Sequence, residues 1–203
     1  GPLYVHDLNR EAVQRLVDAG ATAPQSLAEL GAQCDIVLLC LPASPQVRDV
    51  LFGTGGLVHH LRRGSMVVDQ STGDPNATRE MAAQLRERGI DLVDAPVSGG
   101  PRGADAGNIA IMVGASDAQL ARVEPVLKLI SPKIFHAGAL GSGQVIKLAN
   151  NLMHHAQRLL TLEAVSLAVR NGVSAAKAVE IMLASSGRNY YMEQNMYSRV
   201  LAG

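Results

Sequence analysis

Short apolar runs alternate with longer amphipathic segments along the first 138 residues of the chain. The run at residues 36–41 (IVLLCL) contains no charged side chain, which is the pattern of a strand buried on both faces of a parallel sheet. Further strands are predicted at residues 3–7, 66–69, 91–95, 109–114 and 133–137. Helices are predicted between these strands; one example covers residues 75–88, with Asp74 as its cap and Pro75 as its first residue. The alternation of strands and helices predicts an α/β fold with a doubly wound sheet.

The pattern changes near residue 139. Gly138, Gly141 and Gly143 lie within six residues, and the sequence after them reads as helix almost to its end. The segment 145–170 predicts one helix of about 40 Å at 1.5 Å per residue. We therefore predict an α/β domain over residues 1–139 and the start of an all-α domain over 140–203, which begins with the long inter-domain helix.

The composition and the spacing of residues argue against a nucleic-acid partner, a membrane span and a metal site. The chain has 203 residues, with 18 Lys and Arg against 18 Asp and Glu, and its net charge of zero argues against a nucleic-acid partner. The most apolar stretch, 145–169, is interrupted by Lys147, Arg158 and Glu163, so no membrane span is expected. Two cysteines and six histidines show no metal-site spacing, and so few cysteines favour a reducing compartment, the cytoplasm.

Asp7 closes the first predicted strand. An acidic residue at the end of the second strand of a Rossmann-like sheet binds the adenosine ribose hydroxyls; the alternative is a solvated Asp that enters a turn. Arg10 could instead favour a 2′-phosphate. No G-x-G-x-x-G motif occurs, so the first βα unit of such a sheet, with its phosphate-binding glycines, is expected to precede residue 1. We therefore expect an internal fragment that binds a dinucleotide poorly by itself.

Two motifs follow predicted strands. In DQSTGDP (69–75), Thr72 could donate a hydrogen bond to a cofactor or substrate, or Ser71, Thr72 and Asp74 could only cap the next helix. In DAPVSGG (94–100), Ser98 offers a hydroxyl and the next two glycines bare amides, which suits a carboxylate. Residues 98–107 are predicted as a glycine-rich loop, and the alternative for Ser98 and the next two glycines is a flexible loop without a ligand.

Lys147 and Asn151 lie one turn apart on the long predicted helix. A lysine among apolar neighbours loses hydration, which lowers its pKa and suits it to exchange a proton. The alternative is a surface lysine that extends its amine into water.

Taken in this order, these features resemble the β-hydroxyacid dehydrogenase family, which contains 3-hydroxyisobutyrate dehydrogenase. The matching segments are VHDLN (5–9), LPASPQV (41–47), DQSTGDP (69–75), DAPVSGGPRGADAGNIAIMVGA (94–115), GSGQVIKLANNL (141–152) and SSGR (185–188). The resemblance implies a truncated NAD(P)-binding domain at 1–139 and an enzyme that oxidises a short β-hydroxyacid or reduces its semialdehyde with NAD, or with NADP.

The resemblance also assigns roles to residues. It makes Lys147 the catalytic acid and base, with Asn151 as its substrate-binding partner, and Ser98, Gly99 and Gly100 the loop that holds the substrate carboxylate. The implied cofactor contacts are Asp7, Leu41, Pro42, Gln46 and Thr72.

Alternatives remain at this point. The substrate could be 3-hydroxyisobutyrate, tartronate semialdehyde, glyoxylate or succinic semialdehyde. A dehydrogenase-like interaction scaffold without activity is a second class, although the presence of Lys147, Asn151 and Ser98 favours an enzyme. An imine-reducing relative is disfavoured, because such relatives usually lack the lysine. A homo-oligomer is expected, because a long apolar helix must bury its remaining faces.

Overall fold

A computed structural model describes residues 1–201, with side chains through Met196. The chain forms two compact units, residues 1–147 and 148–203.

The first unit contains a six-stranded mixed sheet in the spatial order β1-β2-β3-β5-β4, with β6 paired to β5. Its strands β1 to β6 are Ile36–Leu39, Met66–Asp69, Asp91–Asp94, Val97–Ser98, Ala110–Gly114 and Ile134–Gly138. The pairs β1–β2, β2–β3 and β5–β6 are parallel, whereas β5 runs antiparallel to β3 and β4. The predicted Rossmann-like α/β fold is therefore confirmed, with an antiparallel step in the middle of the sheet.

Helices lie on both faces of this sheet. Helices α1 to α6 are Arg10–Asp18, Leu27–Gln33, Ser44–Phe52, Pro75–Glu87, Gly100–Asp105 and Asp117–Leu127. One core places Leu51 and Leu85 of α3 and α4 against Val67 of β2. The other places Leu127 of α6 against Val68 and Val93, which lie on the other face of the strands because successive strand side chains alternate.

The helix starts follow the capping signals in the sequence. Asp74 accepts a hydrogen bond from the backbone of Asn76, with Pro75 in the first turn of α4. Ser116 and Gln119 form a complete capping box at α6. These polar side chains satisfy backbone N–H groups that have no partner within the helix.

Residues 3–7, predicted as a strand, are not one. Within the described residues this segment forms only an isolated bridge, in which Tyr4 pairs with Thr22. The supporting hydrogen bonds run from Val5 N to Thr22 O and from Thr22 N to Leu3 O, both 2.9 Å long. The β-like sequence of this segment is not sufficient, because a strand also needs a continuous partner to satisfy its backbone.

Two further predictions were wrong. β1 is not buried on both faces, because Leu38 is 36% exposed while Val37 and Leu39 are buried. Residues 98–107 are not simply a loop, since α5 (Gly100–Asp105) forms within them. A proline in its first turn supports that short helix, because proline lacks the N–H that would have no partner there.

The long helix α7 covers Ser142–Arg170, 29 residues or about 44 Å. It starts three residues before the predicted position 145 and crosses the boundary between the units. In the second unit, α8 (Ala175–Leu183) begins after the cap Ser174, and a π-helical segment covers Met192–Leu201. Val165, Val179 and Met196 belong to the core of this unit.

Neither a membrane span nor a metal cluster is found in the described part of the chain. None of its helices combines the length and apolar character that a bilayer crossing requires. No group of three or more His, Cys, Asp or Glu side chains there is arranged to hold a metal ion.

Candidate active site

The carboxyl ends of β1, β2 and β3 meet at one edge of the sheet, because the three strands are parallel and in register. The segments that leave this edge are bonded to one another. Leu41 N donates to Ser71 Oγ at 2.9 Å, and Asp74 N donates to Ser44 Oγ at 2.9 Å. Ligands of open α/β sheets bind outside this edge, so it is the candidate site.

The predicted cofactor contacts Leu41, Pro42, Gln46 and Thr72 all belong to these segments. Leu41 and Thr72 are half-buried, whereas Pro42 and Gln46 are exposed. Gln46 lies in the first turn of α3. The edge therefore offers a partly apolar surface with polar groups beside it, which is typical of a small-molecule site.

Asp7 belongs to a different segment, the turn before α1. Its side chain is exposed, and Oδ1 accepts a hydrogen bond from Asn9 N at 2.7 Å. Asn9 in turn caps α1 by accepting from Glu11 N and Ala12 N. One oxygen of the Asp7 carboxylate thus supports the turn, and the other can accept a hydrogen bond from a ligand. A role in the turn is therefore compatible with binding of ribose hydroxyls.

Ser98, Gly99 and Gly100 form the junction between β4 and α5. Ser98 is half-buried and pairs with Ala110 of β5, and the two glycines are exposed. Gly99 has φ 144° and Gly100 has φ 63°, backbone conformations that favour glycine. A Cβ on Gly99 would also lie 3.0 Å from Ile109 Cγ2. This junction requires its glycines, and both glycines are exposed.

Asp94, the last residue of β3, caps the start of α7. Its side chain is buried, Oδ1 accepts from Gly141 N at 2.6 Å, and Oδ2 accepts from Gln144 N at 2.8 Å. Burial raises the pKa of Asp94, while the hydrogen bonds from these two amides act in the opposite direction by stabilising its charged form. Asp94 is the partner that α7 uses for its unpaired N-terminal amides.

Gln144 joins α7 to the motif that follows β2. Its Nε2 donates to Ser71 O and its Oε1 accepts from Gly73 N, both at 2.8 Å. The side chain is buried, and these two bonds go to the backbone on either side of Thr72. Through Gln144 the first turn of α7 is held directly against this predicted cofactor contact.

Lys147 lies three residues beyond Gln144 on α7 and is half-buried. Desolvation lowers its pKa from the ordinary value of 10.5. Within the described residues, its ammonium group forms no hydrogen bond or ion pair with the protein. An amine in this setting loses its proton more readily than a solvated one, as acid–base chemistry near neutral pH requires.

A second carboxylate, Asp69, is buried at the same edge. It lies in register with Asp94 on the neighbouring strand, and Oδ1 accepts from Ser71 N at 2.9 Å. Burial raises the pKa of Asp69, hydrogen bonds from Ser71 lower it, and the charge of Asp94 raises it further. Two buried carboxylates thus lie at this edge, and their hydrogen bonds come from backbone amides and, for Asp69, also from the Ser71 side chain.

The structure brings Leu41, Thr72 and the first turn of α7 together. Asn151 lies four residues beyond Lys147 along α7, in the second unit, and is half-buried. The sequence interpretation gave no role to Asp94 or to Gln144. Two signals were available, namely a carboxylate that ends a predicted buried strand and a glutamine at a glycine-rich helix start.

Two family models cover nearly the whole chain. Residues 2–138 match the NAD-binding domain of 6-phosphogluconate dehydrogenase, and residues 141–203 match a model described as NAD-binding of NADP-dependent 3-hydroxyisobutyrate dehydrogenase. The predicted class of cofactor, a nicotinamide dinucleotide, agrees with both descriptions.

Named relatives agree with these models. The chain is 39% identical to 2-(hydroxymethyl)glutarate dehydrogenase of Eubacterium barkeri, over 99% of the chain and 67% of that protein. It is 41% identical to NAD-dependent L-serine dehydrogenase of Pseudomonas aeruginosa, over 94% of the chain and 64% of that protein.

Among solved structures, 3-hydroxyisobutyrate dehydrogenase of Mycobacterium tuberculosis with L-serine has a TM-score of 0.84 and 31% identity, over 95% of the chain and 64% of that protein. The chain thus spans about two thirds of the length of these relatives. The resemblance found in the sequence is confirmed, and the chain belongs to the β-hydroxyacid dehydrogenase family.

Proposed function

We propose that this protein transfers a hydride between NAD and a short β-hydroxyacid or its semialdehyde, with Lys147 as the acid and base. One observation carries the proposal: a half-buried lysine with a lowered pKa stands one turn beyond the helix start that is bonded to the ligand-binding edge of the sheet. Ligands of α/β sheets bind at this edge, so the amine is suited to meet one there.

Lys147 transfers the proton, and other residues hold the substrate. In the oxidation direction, the neutral amine of Lys147 takes the hydroxyl proton of the substrate, so that a carbonyl forms as the C–H bond breaks. In the reduction direction, the ammonium returns that proton to the carbonyl oxygen. Ser98, Gly99 and Gly100 hold the substrate carboxylate, and Asn151 orients the hydroxyl. Holding both ends of a short substrate fixes which carbon reacts.

The edge of the sheet also fits a dinucleotide cofactor. The Gln144 side chain holds the backbone on both sides of Thr72, through Ser71 O and Gly73 N. Leu41 is half-buried, and Pro42 and Gln46 are exposed. When bound, the nicotinamide accepts or supplies the hydride. Asp7 keeps an oxygen for ribose hydroxyls, so NAD is preferred, with NADP as the alternative because of nearby Arg10.

The relatives suggest which substrates to test first. The family members named above are called dehydrogenases of 2-(hydroxymethyl)glutarate, L-serine and 3-hydroxyisobutyrate. All three named compounds are carboxylic acids that carry a hydroxyl on the β-carbon. Tartronate semialdehyde, glyoxylate and succinic semialdehyde remain alternatives for a reductase of the same family.

The decisive experiment is a substrate panel on the full-length protein with NAD and NADP separately, alongside Lys147→Ala. We expect turnover of at least one β-hydroxyacid and its loss by at least about 100-fold in the variant. Lys133→Ala, which removes an exposed lysine of the same unit, is the matched control and should keep activity. Turnover within a few-fold after Lys147→Ala would refute the assigned role. A protein that turns over no substrate would instead be the non-catalytic scaffold.

Two broader features belong to the same proposal. The second unit leaves large apolar side chains of α7 exposed, among them Leu152, Leu159 and Leu160, and we propose that they are buried in a homo-oligomer. Cys34 and Cys40 are unpaired, which suits a reducing compartment such as the cytoplasm.

The boundary near residue 139, between the α/β domain and the all-α domain, stays a prediction.

A further inference from the structure

We propose that Asp94 and Gln144 are positioning residues for Lys147: they fix the first turn of α7 against the ends of β3 and β2 and thereby place the reacting amine. This inference rests on the proposed function of Lys147. It assigns no contact with substrate to either residue, because both side chains are fully buried and their described hydrogen bonds go to backbone atoms.

Asp94 fixes both the distance and the rotation of the helix start. Its two oxygens hold different amides, Gly141 N at 2.6 Å and Gln144 N at 2.8 Å. A single bond would let the first turn rotate about one contact, whereas two bonds from one rigid carboxylate do not. The anion also lies at the positive end of a 29-residue helix, where it stabilises the helix dipole.

Glycines on both elements make this contact possible. A Cβ on Gly143 would lie 2.2 Å from Met112 O and 2.8 Å from Asp94 Oδ2. A Cβ on Gly114 would lie 2.2 Å from Asp94 Oδ1. The helix start therefore packs directly on the backbone of β5, and the Asp94 carboxylate occupies the space that side chains would otherwise fill.

Gln144 adds a second, independent attachment. Its amide donates to Ser71 O and accepts from Gly73 N, so one side chain holds the backbone on both sides of Thr72. The same side chain thus fixes a predicted cofactor contact and the helix start that precedes Lys147. A change at position 144 alters the distance between these two parts of the site.

The consequence for Lys147 follows from helix geometry. Positions three apart are neighbours on a helix surface, so Gln144 and Lys147 lie in adjacent turns on the same side of α7. A shift of the first turn is transmitted to the lysine because the hydrogen-bonded helix is stiff. A misplacement of 1 Å can reduce a rate about 100-fold.

The test uses Asp94→Asn and Gln144→Met in the full-length protein, with L-serine or 3-hydroxyisobutyrate and NAD. Asn keeps the shape but loses one acceptor oxygen, and Met keeps the volume of Gln but loses both hydrogen bonds. We expect kcat to fall at least about tenfold, with KM for the hydroxyacid within about threefold. Ser116→Ala, which removes the cap of α6, is the matched control and should keep kcat.

Two readouts separate positioning from a loss of stability. In Gln144→Met, which changes no charge, the midpoint at which kcat/KM rises with pH should move to higher pH, because burial lowers the pKa of Lys147 and a displaced helix start exposes its amine to water. In a Lys147→Ala background at saturating NAD, adding Gln144→Met should lower the residual rate less than about twofold, since the effect of Gln144 on kcat acts through the lysine. Multiplicative losses in the double variant would overturn the inference.

The outcomes distinguish this inference from the proposed function. If Lys147→Ala retains turnover within a few-fold, the proposed function fails. If Lys147→Ala is inactive while Asp94→Asn and Gln144→Met match wild type, the positioning roles alone fail. Should Asp94→Asn not fold, Gln144→Met decides the test by itself, because its attachment to β2 does not depend on the Asp94 carboxylate.

Discussion

Oδ2 of Asp94 lies 2.8 Å from the backbone nitrogen of Gln144, so the last residue of a central strand caps the helix that carries Lys147. A hydrogen bond thereby connects the sheet directly to the helix that carries the lysine. In many helices the cap is a neighbouring side chain, whereas here it lies 50 residues away in the sequence. The placement of the amine thus depends on the packing of β3 against α7.

Gly143→Ala should separate helix packing from helix propensity. Alanine favours helices, but its Cβ would lie 2.2 Å from Met112 O, which belongs to a backbone that cannot move aside. We expect the free energy of unfolding to fall by about 1–3 kcal/mol or more, measured by urea titration, together with a loss of kcat. Gly187→Ala is the control, since its nearest contact would be Met182 Cβ at 3.9 Å. Equal stability of the two variants would contradict the close packing.

The pH dependence of turnover should report the lowered pKa of Lys147. Hydroxyacid oxidation needs the neutral amine, so kcat/KM should rise with pH and level off below the ordinary lysine pKa of 10.5. The reduction direction needs the ammonium and should show the opposite trend. Initial rates in both directions across pH 6–10, chosen to span about the range from His to Lys pKa values, test this. Parallel profiles in the two directions would argue against a single acid–base group.

Asp69 should make stability depend on pH in a specific direction. Burial raises its pKa in the folded state, so the folded protein binds the proton more tightly than the unfolded chain does. Its stabilising contribution is therefore complete below the unfolded pKa of about 3.9 and is lost as pH rises through the raised folded value. Relative to wild type, Asp69→Asn should become more stable as pH rises.

Urea unfolding of both proteins between pH 4 and pH 7, about the span in which buried carboxylates titrate, measures this difference. Asp105→Asn, which removes an exposed carboxylate of the same unit, is the matched control. A difference between Asp69→Asn and wild type that does not change with pH would show that burial does not govern the ionisation of Asp69.

The exposed apolar side chains of α7 should govern assembly. Leu152 is 70% exposed and Leu159 is 65% exposed, and seven residues, or two turns, separate them. We expect a multimer of the full-length protein by sedimentation velocity, and a smaller species for Leu152→Asp with Leu159→Asp. Leu129→Asp is the control, because Leu129 is 87% exposed on the first unit. A monomeric wild-type protein would refute the proposed oligomer.

The local signals of the sequence predicted most elements correctly. Strand β2 begins and ends at the predicted residues, and the cap Asp74 starts the expected helix α4. These features depend on neighbours in the sequence. The errors concern features that depend on residues distant in the sequence. Residues 3–7 have the composition of a strand but form only one bridge. Leu38 is partly exposed although its run is wholly apolar.

The amino-acid sequence by itself determined the alternation of strands and helices, the family, and the candidate residues from Asp7 to Asn151. Periodicity, capping and motifs are local signals, because each depends on residues close together in the sequence. Only the tertiary structure decided that Asp94 and Gln144 hold the helix of Lys147. Their hydrogen bonds join residues 47 to 73 positions apart. Such bonds depend on how strands and helices pack, and no local pattern of side chains encodes that arrangement.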